Sequence, residues 1–366
     1  MNRRCLLALL LPACSAPTAD PPRAAAERAL AFLFAQQDAA GGFHSAQYGV
    51  LRRGDSLTAT VLLATAELPA ELQRPHAAGL TRALQFLAGG AGSAAARGDA
   101  PIDYPCYTAA HRLHALALLR PPDWRAEADL LLLQLQRMQL YEPQGWNSGD
   151  PSYGGFGLGD REQSKPLGAE MLGLSTTTAV LEAARAAGMP QDAPLLQRAR
   201  VFVERCQNFG DDGDGGFCFT PAPDFRASKA GTEPGADGRE RYRSYGTATC
   251  DGIRALLACG VPVDAERLQA ARTWLARHRD FARVPGFAAG EPARLEPGLR
   301  LYWLATLART LAMLDLPGDW RAELWCQLAP RQRADGAFAG VADTMKEDDP
   351  LVATPLALLA LAPLLR

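Results

Sequence analysis

Six times along this chain a helical stretch runs into a Gly-rich turn or loop, and a second, more apolar helix follows. Six helix pairs are enough to close a ring, and an internal repeat constrains architecture more tightly than local propensity does. Outer-helix candidates lie near residues 24–37, 78–88, 124–140, 193–207, 264–278 and 319–332. Inner-helix candidates begin near Leu57, Tyr107, Ser175, Tyr245, Leu301 and Leu351. Successive inner starts are about 50 to 70 residues apart, more than a two-helix repeat needs. The surplus falls in connecting loops, where sites tend to be built.

The repeat has a recognisable core. Gln37 is followed by Gly41 and Phe43, and Gln332 by Gly336 and Phe338. The middle copies are stretched: Gln139 leads to Gly145-Trp146 and again to Gly154-Gly155-Phe156, and Gln207 leads through Asp211-Asp212-Gly213-Asp214 to Gly215-Gly216-Phe217. Gly ends the outer helix with a positive φ. The aromatic fills the gap between neighbouring helices, and the Gln amide is free to bond loop backbone or an adjacent helix end. These residues read as structural staples.

Composition sets the outer limits. Hydrophobic residues make up 48% of the 366, with Ala and Leu dominant, and period-2 alternation is scarce, so a helical protein without a sizeable sheet is expected. The length allows one large domain or two. A net charge of −2 gives no electrostatic footprint for nucleic acid. Beyond the first residues, no apolar run is long enough to span a bilayer.

The N-terminus reads as a targeting segment. Asn2-Arg3-Arg4 supplies positive charge, Leu6 to Leu11 form a short apolar core, and Leu11-Pro12-Ala13-Cys14 precedes a polar stretch. This resembles a bacterial lipoprotein signal, with Pro12 an unusual member. It implies a signal peptide over 1–13, lipid on Cys14, a tether over 14–23 and a folded domain over 24–366. Such a protein is exported and meets the membrane surface through its anchor, as a cell-membrane lipoprotein or a periplasmic one. Cys106, Cys206, Cys218, Cys250, Cys259 and Cys326 remain, an even number that permits disulfides outside the cytosol. Cys206 and Cys218 flank one Gly-rich loop and are the favoured pair; the others read as small buried hydrophobes.

Inner helices open on Thr-rich runs: Asp55-Ser56-Leu57-Thr58-Ala59-Thr60, Ser175-Thr176-Thr177-Thr178 and Tyr245-Gly246-Thr247-Ala248-Thr249. With the Gln…Gly…aromatic element, this resembles the prenyltransferase and squalene-cyclase repeat, and in particular a bacterial subgroup without an assigned reaction. Tyr153-Gly154-Gly155-Phe156-Gly157 and Asp349-Pro350-Leu351-Val352-Ala353-Thr354 carry the likeness further. It spans nearly all of 24–366 and implies an all-α (α/α)6 toroid, six inner helices lining a central cavity. A fold does not fix an activity.

The chemistries of that superfamily fit the residues poorly. Class II cyclases protonate their substrate from the middle Asp of Asp-x-Asp-Asp, whose carboxyl must be kept neutral. The nearest match is Lys346-Glu347-Asp348-Asp349, so Asp348 and Asp349 are the weak catalytic candidates. A Lys stands where the first acid belongs, and Asp349-Pro350 also reads as a helix start. Prenyltransferase zinc needs Asp, Cys and His ligands. Here Leu301-Tyr302-Trp303-Leu304 lacks the His, and Thr249-Cys250-Asp251 has the wrong order, so no metal and no other cofactor is expected. His111 and His114 share one helix without an evident third ligand.

The residues expected to line a cavity are Asp55, Asp103, Tyr104, Tyr107, Trp146, Tyr153, Tyr245, Tyr302 and Trp303. Such an aromatic hollow suits an apolar, isoprenoid-like ligand. The first reading is therefore an exported, lipid-anchored toroid that binds such a ligand with degenerate catalytic motifs. A non-catalytic scaffold or protein-binding lipoprotein is the alternative. A carbohydrate-active (α/α)6 enzyme, using a pair such as Asp103 and Asp348, is the further one. The insert Lys229–Arg243 reads as a rim loop or lid.

Overall fold

The structure, a computed structural model, describes residues 22–89, 103–159, 165, 172–222, 228–235, 238–288, 295–314, 316 and 318–366. The expected signal segment and Cys14 lie outside the described residues. Among the described residues, apart from the single turn Ala70–Gln73, twelve helices alternate between two roles. The outer ones are α1 (Pro22–Ala35), α3 (Ala77–Leu87), α5 (Trp124–Met138), α7 (Pro194–Arg205), α9 (Glu266–His278) and α11 (Trp320–Leu328). The inner ones are α2 (Asp55–Ala66), α4 (Pro105–Leu119), α6 (Leu174–Ala186), α8 (Gly246–Ala258), α10 (Arg300–Leu314) and α12 (Pro350–Leu361). Pro22 and Arg23 lie in helix α1, so the end of the expected tether is helical.

Inner helices pack in sequence, α2 on α4, then α6, α8, α10 and α12, and α12 returns to α2. That cycle is the expected (α/α)6 toroid. Outer helices bury one stripe: α7 buries Leu195, Leu196, Ala199, Phe202 and Val203 and leaves its other face polar. Inner helices are buried almost all round, as in α12, where nearly every residue from Leu351 to Leu361 is buried. Their Ala-rich sequences allow six helices to crowd one axis.

The staples recur with the same bonds. Gln139 Nε2 donates to the carbonyls of Gly154 (3.0 Å) and Leu195 (2.9 Å), joining its own loop to the first turn of the next outer helix. Gln37 does so with Gly41 and Gly79, Gln207 with Gly215 and Arg267, and Gln332 with Gly336 and Ala25. An Arg of that next helix donates to each Gln Oε1: Arg82, Arg198, Arg267 and Arg28. The aromatic N–H then donates to an inner-helix Thr. The pairs are Phe43 with Thr58, Phe156 with Thr177, Phe217 with Thr249 and Phe338 with Thr354, at 2.9–3.2 Å. All four rings are fully buried. Glycine is required where the turn meets the next helix. Gly154 has φ +84, and a Cβ there would lie 1.9 Å from the Arg198 carbonyl oxygen.

Among the described residues only β1 (Thr232–Pro234) and β2 (Glu240–Tyr242) form a sheet, an antiparallel hairpin. It occupies the segment expected to be a loop, so that insert has regular structure. Arg241 pairs with Glu233 across it at 2.7 Å.

Candidate functional site

All six inner helices meet at a cavity of about 60 Å³ on the ring axis. Leu63, Leu356 and Leu359 form an apolar wall; Tyr107, His111, Tyr302 and Arg254 are among the polar groups facing it. That volume admits a few waters or one small group, well below the roughly 300–1,000 Å³ of ordinary ligand pockets.

A charge network surrounds the cavity. Arg254 NH2 lies 2.7 Å from Asp251 Oδ1, and its NH1 lies 3.7 Å from Glu182. Arg309 reaches Glu182 at 3.2 Å and Glu67 at 3.4 Å. The last residue, Arg366, bonds Glu67 at 2.7 Å, and His114 stands 4.0 Å from the same carboxylate. Asp251 also accepts from the hydroxyls of Tyr302 (2.8 Å) and Thr306 (2.9 Å). Buried charges persist only when paired like this. Burial pushes the Glu182 carboxyl up, but Arg254 and Arg309 outweigh it and hold it below the ordinary range. Glu67 is likewise lowered, because Arg309, His114 and Arg366 overcome its burial. Burial drives His111 down to about 3, helped by His114 and Arg309. It is therefore a neutral imidazole, with Nδ1 3.0 Å from Thr60 Oγ1. Among the described residues the buried Nε of Arg254 finds no hydrogen-bond partner.

The rim at the inner-helix N-termini holds the acidic stretch. Asp349 caps α12, accepting from Leu351 N at 2.9 Å, and also takes the Ser45 hydroxyl. Asp348 accepts from the Tyr48 hydroxyl at 2.6 Å and from Gln47. Glu347 is buried and caps α10, accepting from Leu301 N and Tyr302 N at 2.8 Å each. Burial raises its carboxyl to about 8 against the pull of those N–H groups. Lys346 sits at φ +65 with its ammonium over the rings of Tyr48 and Tyr104. None of these carboxylates lines the axial cavity.

The residues expected to line a hollow separate. Tyr107 and Tyr302 line the axial cavity. Asp55 pairs with Arg53 at 2.7 Å. Asp103 accepts from Gly54 N at 2.9 Å and is raised to about 6, chiefly by burial. Tyr104 precedes α4 with φ +42. Tyr153 donates to Glu142 at 2.6 Å, and Trp146 is buried in the core. Tyr245 is buried edge-on to Phe287, and Trp303, with no exposed surface, donates its indole N–H to Asp280 O. These last four are core residues and not part of the axial wall: in a ring this narrow the aromatics fill gaps between helices. Among the described residues no three His, Cys, Asp or Glu side chains converge on a metal position. Asp214, in the acidic Gly-rich loop, instead binds Ser244 Oγ, Gly216 N and Trp274 Nε1.

Glu67, Glu182, Arg254, Arg309 and Arg366 escaped sequence reasoning. The signal available was a charge about two turns into a mostly apolar inner helix, as at Glu182, Arg254 and Arg309.

No protein-family model and no curated protein matches the chain. Solved structures do match. A variant of the type II terpene cyclase MstE from Scytonema, in complex with its substrate geranylgeranyl dihydroxybenzoate, is 15% identical with a TM-score of 0.57, over 94% of this chain and 98% of that one. Cellobiose 2-epimerase from Bacillus thermoamylovorans is 13% identical with a TM-score of 0.57, over 92% and 98%. An inactive α-1,6-mannanase variant, GH76A of Salegentibacter, is 13% identical with a TM-score of 0.54, over 94% and 100%. These likenesses show the fold, an (α/α)6 toroid, an architecture shared by proteins of several chemistries.

Proposed function

We propose that this chain is a binding protein on the cyclase toroid, exported and held at a membrane surface by lipid on Cys14. It takes an apolar, isoprenoid-like ligand at the ring axis without transforming it. The observation that carries the non-catalytic part is the use made of the acids. Asp349 and Glu347 cap helices, Asp348 is bonded to Tyr48 and Gln47, and Asp251 is locked to Arg254, Tyr302 and Thr306. A cyclase acid must be neutral, aimed at substrate and free to give up its proton. The ligand class is supported by the apolar wall of Leu63, Leu356 and Leu359, and by the Scytonema enzyme's polyene substrate on the same fold. A cavity of about 60 Å³ takes only part of such a chain, so binding must widen the ring.

A second reading is a scaffold or protein-binding lipoprotein, favoured by the charged groups that crowd the axis. The carbohydrate-active reading draws on the mannanase and epimerase, whose likeness extends to the fold. The test is incubation of the purified domain with geranylgeranylated arenes and squalene-type polyenes, followed by product analysis. We expect the substrates back unchanged. A cyclised product that disappears in Asp348→Asn would make the protein an enzyme.

A further inference from the structure

We propose that Cys206 and Cys218 form a disulfide that clasps the fourth repeat's loop. The pairing rests on register. Gln207 and Phe217 form an antiparallel bridge, and the next pair outward is Cys206 with Cys218, joined by Cys218 N–H to Cys206 O at 2.9 Å. Cys206 is the C-cap of α7 at φ −73, ψ −11, its own N–H bonded to Phe202 O and Val203 O, so the pair shares one backbone bond, which sets the two residues side by side at the mouth of the loop. A disulfide requires Cα atoms about 4.4–6.8 Å apart.

The two positions are defined by the staple itself, one residue before the Gln and one after the aromatic. Elsewhere they hold Gln36 and His44, Met138 and Gly157, and Arg331 and Ala339. Only in this copy of the staple are both Cys. Both are free thiols in this structure, with Cys206 Sγ 3.9 Å from Phe219 O and Cys218 Sγ 3.6 Å from Thr220 O. Of the remaining cysteines, Cys259, at the C-cap of α8, contacts Leu196 O, and Cys326 is exposed on α11.

Both thiols are buried, and burial holds both well above the ordinary range. A protonated, enclosed thiol exchanges slowly, so the bond forms before the loop packs. One thiolate attacks an external disulfide, such as oxidised glutathione, and releases a first thiolate. The second cysteine then attacks the mixed disulfide, the Cys206–Cys218 bond closes, and a second thiolate leaves. The external disulfide takes up two electrons and becomes two thiols.

Trypsin cuts after Arg205 and Arg226 and nowhere between, so both cysteines fall in one peptide. The full chain, reduced and denatured, is refolded in a glutathione redox buffer. It is then denatured and alkylated before and after reduction. We expect that peptide to be two hydrogens light and unalkylated before reduction, and doubly alkylated after it. Reductant should lower the melting midpoint of the wild type and leave that of a Cys206→Ser/Cys218→Ser double variant unchanged. Double alkylation without prior reduction overturns the proposal, as does a disulfide joining Cys206 or Cys218 to any other cysteine of the chain.

Discussion

The amide of Gln332 donates to the carbonyl of Ala25 at 2.8 Å, across 307 residues of sequence. This bond ties the last staple to the first outer helix. It is the same contact that Gln139 makes with Leu195 one repeat on, so the ring closes with the device that joins its interior repeats. Gln332→Ala removes it and leaves the Ala25 and Gly336 carbonyls short of a donor. Exposing such a defect costs about 1–3 kcal/mol. Chemical denaturation should show that loss with the transition still cooperative.

Gly154→Ala should be worse. It combines φ +84 with a Cβ 1.9 Å from the Arg198 carbonyl oxygen. The backbone must move to accommodate it, so we expect loss of soluble protein or a large fall in melting temperature. Gly188→Ala, also at positive φ but facing open space, is the matched control and should show the conformational cost alone.

Phe43, Phe217 and Phe338 are fully buried where a repeat folds onto its neighbour. Truncation to Ala typically costs about 3–5 kcal/mol at such positions. Melting curves of the three variants should all shift down. Wild-type midpoints would mean that the repeats are not held by these rings.

Glu182 partners both Arg254 and Arg309, and removing one member of a buried pair costs about 3–5 kcal/mol. We therefore expect Glu182→Gln to be strongly destabilised at neutral pH. Its folded-state pKa is lowered from 4.5, so the contribution is present above that value and lost as pH falls through the lower folded one. The gap between wild type and variant, followed by denaturation at several pH values, should be constant near neutrality and close below about 4.5.

The helix pairs were legible in sequence because Gly, aromatic and Thr-rich signals are local and recur. The Thr residues also proved to have a specific use, as acceptors for the N–H of Phe43, Phe156, Phe217 and Phe338. Inner-helix starts fell within two residues of Leu57, Tyr107, Ser175, Tyr245, Leu301 and Leu351. The axis was much less legible. Its charges come from Glu67, Glu182, Arg254, Arg309 and Arg366, which lie far apart in the chain and meet only once the ring has closed. Trp303 and Tyr245 illustrate the converse error. An aromatic on an inner helix reads the same in sequence whether it faces the axis or wedges between helices.

Lipid attachment has its own test. Cys14→Ala should move the protein from the membrane fraction to the soluble one, and mass spectrometry of the wild-type N-terminus should find an acylated Cys14. An unmodified terminus elsewhere would remove the anchor from the account.

Ligand binding at the axis is tested most directly by native mass spectrometry of the protein purified gently from membranes. The wild type should carry an apolar adduct that organic extraction releases. Leu359→Trp, which fills the apolar wall of the cavity, should fold and carry none. A folded wild type at the mass of the bare chain, or an adduct retained by Leu359→Trp, would contradict binding at the ring axis.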